Sequence, residues 1–292
     1  MSSAPATPSR QTLVTFLLDK SYSMLGIKNQ TMEAFNGYLD GLKKEGEGVL
    51  FSLVQFDTLS IERVCVRVPV AQAPMLSDAN YTPAGGTPLI DAAWNTIQAV
   101  EESLANFEVK PKIVVCIQTD GDENASSRSF EELAGLIKEK TALGWQFNFM
   151  GCGIDGYAQS ARMGIAAANA MSYDRHDVDM TRAAFAASAA NTAAFAAGRL
   201  STTAYSDDDR RSAGDAYFRP DVAGVPAPAI PAPGKPVGAA GLKPGYAFGK
   251  TGDGGTTLAP ERKLDLTTPL AALAGQAPVR RARAGTVERF SL

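Results

Sequence analysis

The sequence predicts an α/β domain: a doubly wound, mostly parallel β-sheet with one antiparallel edge strand, followed by an extended tail rich in Pro, Ala and Gly. Short, continuously apolar segments alternate with amphipathic helical segments, which is typical of a parallel sheet with helices on both faces. The chain has 292 residues and is 45% hydrophobic, so it can form one large core. Ten of the seventeen prolines follow Leu200, which predicts that the compact domain ends near that residue.

The strands and helices are predicted in order along the chain. Residues 12–18 (TLVTFLL) are apolar without alternation, which indicates a strand buried on both faces. Residues 61–70 (IERVCVRVPV) alternate and follow the preceding strand so closely that only an antiparallel hairpin is possible. The predicted strands are 12–18, 49–56, 61–70, 113–119, 147–152 and 170–173. The predicted helices are 31–44, 89–104, 130–143, 157–163 and 178–200, the last of them rich in alanine.

Three regions follow from this pattern. Residues 1–11 are predicted to be a flexible N-terminus, residues 12–200 to be the domain, and residues 201–292 to be a low-complexity tail. The densest proline segment is PAPAIPAPGKP at 226–236, a composition that favours an extended, solvated chain. We therefore expect the tail to be disordered alone or ordered only against a partner.

Composition and charge argue against several classes of protein. The net charge of −3 disfavours a general nucleic-acid binder, and no apolar run approaches the ~20 residues of a membrane span. The N-terminal segment MSSAPATPSRQ lacks an apolar signal core, so we expect a cytoplasmic protein, or a virion component if the chain is phage-encoded. The odd cysteine count predicts buried thiols rather than disulfides. These cysteines are Cys65, Cys116 and Cys152.

Three short polar segments carry the candidate chemistry. DKSYS (19–23) follows the first strand, GGTPL (85–89) precedes a helix, and TDG (119–121) follows another strand. In an open parallel sheet, ligands bind at the carboxyl ends of the strands, where the strand order reverses. We therefore expect five oxygen-bearing side chains to converge there as metal ligands. They are Asp19, Ser21, Ser23, Thr87 and Asp120.

The donor set predicts the cation and its use. Hydroxyl and carboxylate oxygens suit Mg²⁺, with Mn²⁺ or Ca²⁺ as alternatives, and a small octahedral site favours Mg²⁺. Three of the five ligands are neutral, and two carboxylates at most balance the ion. If those carboxylates act through water, the cation stays electrophilic and keeps an open position. Such a site is a device for binding a carboxylate of another molecule.

The order DxSxS, a threonine in GGTPL and then TDG resembles the metal-ion-dependent adhesion site of von Willebrand factor A domains. The resemblance covers residues 12–200, includes AFNGYLDGL (34–42), LVQFD (53–57) and TDGDENAS (119–126), and is closest to single-domain bacterial and phage members. It implies that Ser21 and Ser23 contact the ion directly and that Asp19 and Asp120 often act through water. It also implies that Thr87 joins or leaves with conformation, and that an acidic residue of a partner protein completes the shell.

Two residues depart from the family pattern. Tyr22 stands where many members have glycine, which predicts an aromatic ring beside the metal that narrows access or contacts the partner. Lys20 adds a positive charge that we expect to attract an acidic ligand. Close by, Asp122, Glu123 and Asn124 are interpreted either as supports for the metal ligands or as caps for the helix that starts near Ser129.

The predicted function is metal-dependent protein binding, as an adaptor for a machine such as an AAA+ ATPase. The first alternative is a phage virion component whose tail lies along neighbouring subunits. The second, a metal-dependent phosphate-ester hydrolase, is disfavoured because Ser21 stands where such phosphatases carry a second carboxylate. No GxSxG motif is present, and the single histidine, His176, is predicted to be a surface residue, so we predict that the protein is not an enzyme.

Overall fold

The computed structural model describes residues 11–45 and 48–218, which form an α/β domain around a six-stranded sheet. The strands are β1 (Thr12–Asp19), β2 (Val49–Phe56), β3 (Ile61–Pro69), β4 (Lys112–Thr119), β5 (Gln146–Cys152) and β6 (Ala170–Tyr173). The helices are α1 (Lys28–Glu45), α2 (Leu89–Ser103), α3 (Phe130–Ala142), α4 (Gly156–Arg162), α5 (Val178–Ala196) and α6 (Asp207–Ser212). Each predicted strand and helix is present, with ends that differ by a few residues.

The sheet has the order β3-β2-β1-β4-β5-β6, and it is parallel except at one edge. β1 pairs in parallel with both β2 and β4, whereas β3 pairs antiparallel with β2. The predicted fold class and the predicted antiparallel edge strand are therefore confirmed. Because the chain winds outwards from β1 in one direction and from β4 in the other, the strand order reverses between these two strands.

The sheet carries an apolar layer on each face. Every residue of β1 is buried, as its unbroken apolar run predicts. On the face covered by α1 and α5, Phe16 meets Phe35 and Tyr38 edge to face, with ring centroids 5.2 and 5.0 Å apart. On the opposite face, α2 and α3 pack against aliphatic side chains of the central strands, including Leu17 and Val115. These two layers fix the sheet, and with it the positions of the strand ends.

Helix α5 stops before the predicted residue 200. Gly198 has a positive φ of 74° and donates its N–H to the carbonyl oxygen of Phe195, a left-handed turn that ends a helix. None of the helices described between residues 11 and 218 is long and apolar enough to cross a membrane. The three cysteines are free thiols. Cys116 and Cys152 are buried, whereas Cys65 is half-buried.

The ordered domain extends past the predicted boundary at residue 200. Tyr205 and Ala213 are buried, and the buried guanidinium of Arg210 donates to the carbonyl oxygens of Tyr205, Ala168 and Ala170. Residues 201–218 thus pack against the strand β6 side of the domain through hydrogen bonds to the backbone. The rest of the predicted tail, 219–292, and most of the predicted flexible N-terminus, 1–10, lie outside the described residues.

Candidate metal centre

The candidate site lies at the carboxyl ends of β1 and β4. Asp19 is the last residue of β1, and Asp120 follows the last residue of β4. Since these strands are parallel neighbours, both aspartates emerge at the same edge of the sheet, where the strand order reverses. We call the loops at this edge (residues 19–23, 85–88, 119–124 and 174–176) the carboxyl rim.

A continuous chain of hydrogen bonds joins four of the five predicted ligands. Asp19 accepts a bond from the Ser21 N–H at 2.6 Å on one carboxylate oxygen. The hydroxyls of Ser21 and Ser23 lie 3.0 Å apart, and the Ser23 hydroxyl donates to Asp120 Oδ1 at 2.6 Å. The second oxygen of Asp19 accepts a bond from the Thr119 hydroxyl at 2.6 Å. The two aspartates are therefore connected through the Ser21 N–H and the hydroxyls of Ser21 and Ser23.

Thr87 approaches the same point from the loop before α2. A Cβ atom built on Gly121 would lie 3.5 Å from Thr87 Oγ1 and 3.6 Å from Ser23 Oγ, so both hydroxyls face this glycine. The Thr87 backbone is held by Asn124, whose side-chain oxygen accepts the Thr87 N–H at 2.9 Å. Thus the structure brings all five predicted site residues together.

The glycines before Thr87 are required by this close packing. Gly85 has a positive φ of 66° and accepts the Tyr22 N–H at 3.0 Å, which ties this loop to the loop after β1. A Cβ atom on Gly86 would lie 2.9 Å from the side-chain oxygen of Asn124, so a larger residue there would displace the side chain that holds the Thr87 backbone. The GGT sequence therefore allows Thr87 to approach the rim.

Burial disfavours the charged form of both aspartates at the rim. Asp19 is fully buried, and burial raises its pKa from 3.8 to about 6 despite the hydrogen bonds from Thr119 and Ser21. Burial also raises the pKa of Asp120, although its hydrogen bond from Ser23 and the charge of Arg175 act in the opposite direction. Such carboxylates are stabilised as anions by an added cation.

The residues present fit a hard divalent cation. Two carboxylates and three hydroxyls form an all-oxygen donor set, which suits Mg²⁺, Mn²⁺ or Ca²⁺. Ser23 is exposed, so the site is open to solvent on one side. Within residues 11–45 and 48–218, no group of three or more His, Cys, Asp or Glu side chains could hold a metal ion. A cation at the rim would therefore depend on the serine and threonine hydroxyls as well as the two aspartates.

Sequence reasoning missed two residues that complete the rim. Arg175, two residues after β6, donates to Asp120 Oδ2 at 3.0 Å. Tyr81, in the long loop before α2, donates its hydroxyl to the Asp19 carbonyl oxygen at 2.7 Å. Arg175 follows a strand end, as Asp19 and Asp120 do, and that position was the available signal. Tyr81 offered no signal of this kind.

The expectation for Lys20 is wrong. Its ammonium group is almost buried, 3.1 Å from a carboxylate oxygen of Glu62 and 3.8 Å from one of Asp57. These partners belong to β3 and to the turn before it, so the charge is neutralised on the hairpin and is not offered to a ligand. Tyr22, in contrast, is 68% exposed between the two serines, as an aromatic contact at the rim requires.

The acidic loop after β4 supports the rim rather than the following helix. Glu123 accepts the N–H of Ile90 at 2.8 Å, which fixes the start of α2 next to Thr87, and Asn124 holds Thr87 itself. The start of α3 is capped by Ser129, which accepts the Glu132 N–H. Asp122 is exposed, and so is His176, which lies in a turn before α5.

Solved structures share this fold. The pilus adhesin SpaC from Lactobacillus rhamnosus GG, in its open conformation, matches with a TM-score of 0.52 and 12% identity, over 65% of this chain and 31% of the adhesin. A von Willebrand factor type A structure from Catenulispora acidiphila matches with a TM-score of 0.43 and 14% identity, over 63% and 43% of the two chains.

A third match is the mussel byssus proximal thread matrix protein 1 with a zinc-occupied MIDAS motif. The TM-score is 0.41 and the identity 17%, over 56% of this chain and 41% of the mussel protein. This chain spans less than half the length of each of the three proteins. Likenesses at these identities concern the fold. No protein-family model matches the chain, and no curated protein matches it.

Proposed function

We propose that this domain, which has a von Willebrand factor A-type fold, is a divalent-cation-dependent protein-binding module. In this proposal, Asp19, Ser21, Ser23, Thr87 and Asp120 hold the cation, and an acidic side chain of a partner protein completes its coordination. The observation that carries the proposal is the chain of hydrogen bonds that links two buried aspartates at an open edge of the sheet, through the Ser21 N–H and the hydroxyls of Ser21 and Ser23.

The chain's own residues have distinct parts in this function. Ser21 and Ser23 present neutral hydroxyls, which bind a cation without cancelling its charge. Asp19 and Asp120 balance that charge from buried positions, and Thr119 and the Ser21 N–H orient Asp19. A bound cation would supply an open coordination position for a carboxylate. Tyr22, exposed beside this position, would contact the protein that carries the carboxylate.

The preferred cation in this proposal is Mg²⁺, with Mn²⁺ and Ca²⁺ as alternatives, because all donors are hard oxygen atoms. We propose a cytoplasmic adaptor, with an AAA+ ATPase as one class of partner and a virion subunit as the other. Catalysis is not part of the proposal. Ser21 stands where a phosphatase of this pattern needs a second carboxylate, and His176 lies in an exposed turn.

The test is a cation titration of the full-length protein and of two variants, followed by thermal unfolding. Wild type should be stabilised by Mg²⁺ or Mn²⁺, by ~2.7 kcal/mol at a concentration 100 times the dissociation constant. Asp19→Ala should lose this stabilisation. Asp122→Ala removes an exposed carboxylate from the same rim and should keep it.

Partner capture tests the second half of the proposal. The full-length protein, immobilised, should retain a partner from its own cell lysate in Mg²⁺ and release it in a chelator. Asp19→Ala should retain none. If wild type shows no cation-dependent stabilisation, the proposed metal site is wrong. If it is stabilised but its partner survives the chelator, the cation does not mediate binding.

A further inference from the structure

We propose that Arg175 is a second contact for the partner's carboxylate, so that the acidic side chain is held by the cation and by a guanidinium together. This inference rests on the proposed function and adds a residue that determines specificity. Arg175 comes from the loop after β6, whereas the five proposed cation ligands come from three other loops.

Arg175 reaches the rim, and only its Nη2 atom makes hydrogen bonds to the described residues there. Its Nη2 atom lies 3.0 Å from Asp120 Oδ2 and 3.4 Å from the Ser23 carbonyl oxygen. No hydrogen bond from Nη1 or Nε to another described residue is observed, and the side chain is 29% exposed. A guanidinium has five N–H donors in a fixed planar fork, and this shape matches a carboxylate. Donors therefore remain for a ligand arriving from solvent.

The position of Arg175 is built into the fold. Its carbonyl oxygen accepts a hydrogen bond from the Gln30 side chain of α1 at 2.6 Å. Its aliphatic part passes over Gly153, where a Cβ atom would lie 2.7 Å from Arg175 Cδ. Gly153 also has a positive φ of 68°, so this turn after β5 favours glycine twice over. The guanidinium is thus directed at Asp120 by neighbours on two other elements.

The charges at the rim agree with this assignment. Among the residues proposed to contact the cation or the ligand, Asp19 and Asp120 contribute two negative charges, and Arg175 contributes one positive charge. With a divalent cation bound, these groups and the cation together would carry one net positive charge, which a single carboxylate neutralises. Lys20 does not enter this balance, because Asp57 and Glu62 already pair with it. Without Arg175, the loaded site would be neutral and would attract a carboxylate less strongly.

Arg175 covers Asp120. The Asp120 side chain has no exposed surface, and Arg175 is the cationic group paired with it. A cation at the rim would take over part of this charge compensation, so the guanidinium could turn towards the incoming carboxylate. Arg175 and the cation also repel each other. Removing the arginine charge should therefore favour the cation and disfavour the acidic ligand.

The experiment measures Mn²⁺ affinity with and without a carboxylate probe. Full-length wild type, Arg175→Gln and Arg175→Lys are titrated with Mn²⁺ by electron paramagnetic resonance, alone and with N-acetyl-glutamate amide, which carries one side-chain carboxylate. The probe should tighten Mn²⁺ binding to wild type. Arg175→Gln should bind Mn²⁺ at least as tightly as wild type, whereas its affinity for the probe should fall about tenfold, as for a lost charge-assisted hydrogen bond.

Controls separate this inference from the proposed function and from misfolding. Arg182→Gln removes an exposed arginine of α5 that pairs with Glu33 and Asp179, and it should behave like wild type. Arg175→Lys keeps the charge but lacks the planar fork, so it should retain Mn²⁺ binding and part of the probe affinity.

The outcomes are distinct. Equal probe affinity in wild type and Arg175→Gln overturns the role of Arg175 and leaves the cation site standing. If wild type does not bind Mn²⁺, both proposals are wrong. If Arg175→Gln does not fold, the comparison of Arg175→Lys with wild type decides, and equal probe affinity there counts against the planar contact.

Discussion

Phe16 in the aromatic core and Asp19 at the carboxyl rim lie only three residues apart in β1. Burial of these two side chains nevertheless has opposite effects on the free energy of unfolding. Phe16 is fully buried among aromatic rings, and its removal from water stabilises the fold. Asp19 is equally buried, but it carries a charge whose pKa is raised because the charged form is disfavoured there. The core therefore provides stability that offsets the cost of burying charges at the rim.

The largest effect on stability is expected from the core. Phe16→Ala removes a ring that contacts both Phe35 and Tyr38, so the free energy of unfolding should fall by ~3–5 kcal/mol. Urea unfolding in the presence of a chelator measures this change. Phe16→Leu, which keeps most of the volume, should lose less. A loss below about 1 kcal/mol for Phe16→Ala would mean that the aromatic layer is not what holds the sheet.

The next largest change in the free energy of unfolding is expected from Asp19→Asn at the rim, and its sign should depend on whether a cation is present. Asp19→Asn keeps the size of the side chain and an oxygen that can accept the Ser21 N–H. It should lose the ~2.7 kcal/mol of cation-dependent stabilisation expected at 100 times the dissociation constant. In a chelator, its free energy of unfolding should equal or exceed that of wild type, because residue 19 no longer buries a charge. Destabilisation in the chelator would contradict the contrast between core and rim.

The pH dependence should distinguish the two regions further. The raised pKa of Asp19 means that the folded, metal-free protein binds a proton more tightly than the unfolded chain does. Its contribution to stability is therefore full below pH 3.8 and is lost as the pH rises to about 6. Cation affinity should change the opposite way, falling about tenfold per pH unit below 6, because a proton competes for the carboxylate.

Unfolding in a chelator and Mn²⁺ titration, each at pH 5 and pH 7, measure these two trends. Asp19→Asn is the matched control for the unfolding measurement, since it removes the titrating group and should flatten that trend. If Mn²⁺ affinity is the same at pH 5 and pH 7 in wild type, Asp19 does not balance the cation.

The smallest effect on stability is expected from the exposed part of the rim. Tyr22→Ala removes a side chain that is 68% exposed, so the free energy of unfolding should change by less than about 0.5 kcal/mol. Cation affinity should also be unchanged, whereas capture of the partner should weaken. Thermal unfolding and capture from lysate measure the two quantities. Weaker cation binding in this variant would assign Tyr22 to the metal site itself.

The fold and the proposed ligand positions could be predicted because their signals are local. The unbroken apolar run of β1 indicates a buried parallel strand, and parallel neighbours bring their ends to one edge. Arg175 could not be placed in this way. An arginine after a short strand is common on protein surfaces, and its contact with Asp120 depends on the path of the loop over Gly153.

Lys20 and the segment after Leu200 also make contacts that the sequence pattern does not predict. Lys20 lies next to two proposed ligands in sequence, but its charge is used by Glu62 on a different strand. Residues 201–218 have a polar composition that indicates a solvated tail. They are held instead by Arg210, which donates hydrogen bonds to backbone carbonyl oxygens. Because every residue has such an oxygen, no sequence pattern indicates these bonds. Local sequence patterns do not predict which polar groups pair when they are distant in sequence.

The anchoring of the last described residues has a mechanical consequence. Asp215 accepts hydrogen bonds from the Ser172 N–H of β6 and from the Tyr157 hydroxyl, and the Ala213 carbonyl oxygen accepts the Asp174 N–H. A pulling force applied to the chain beyond residue 218 would therefore load β6 and the residue beside Arg175 first. Tension on that end of the domain would therefore reach the rim by a short path of hydrogen bonds.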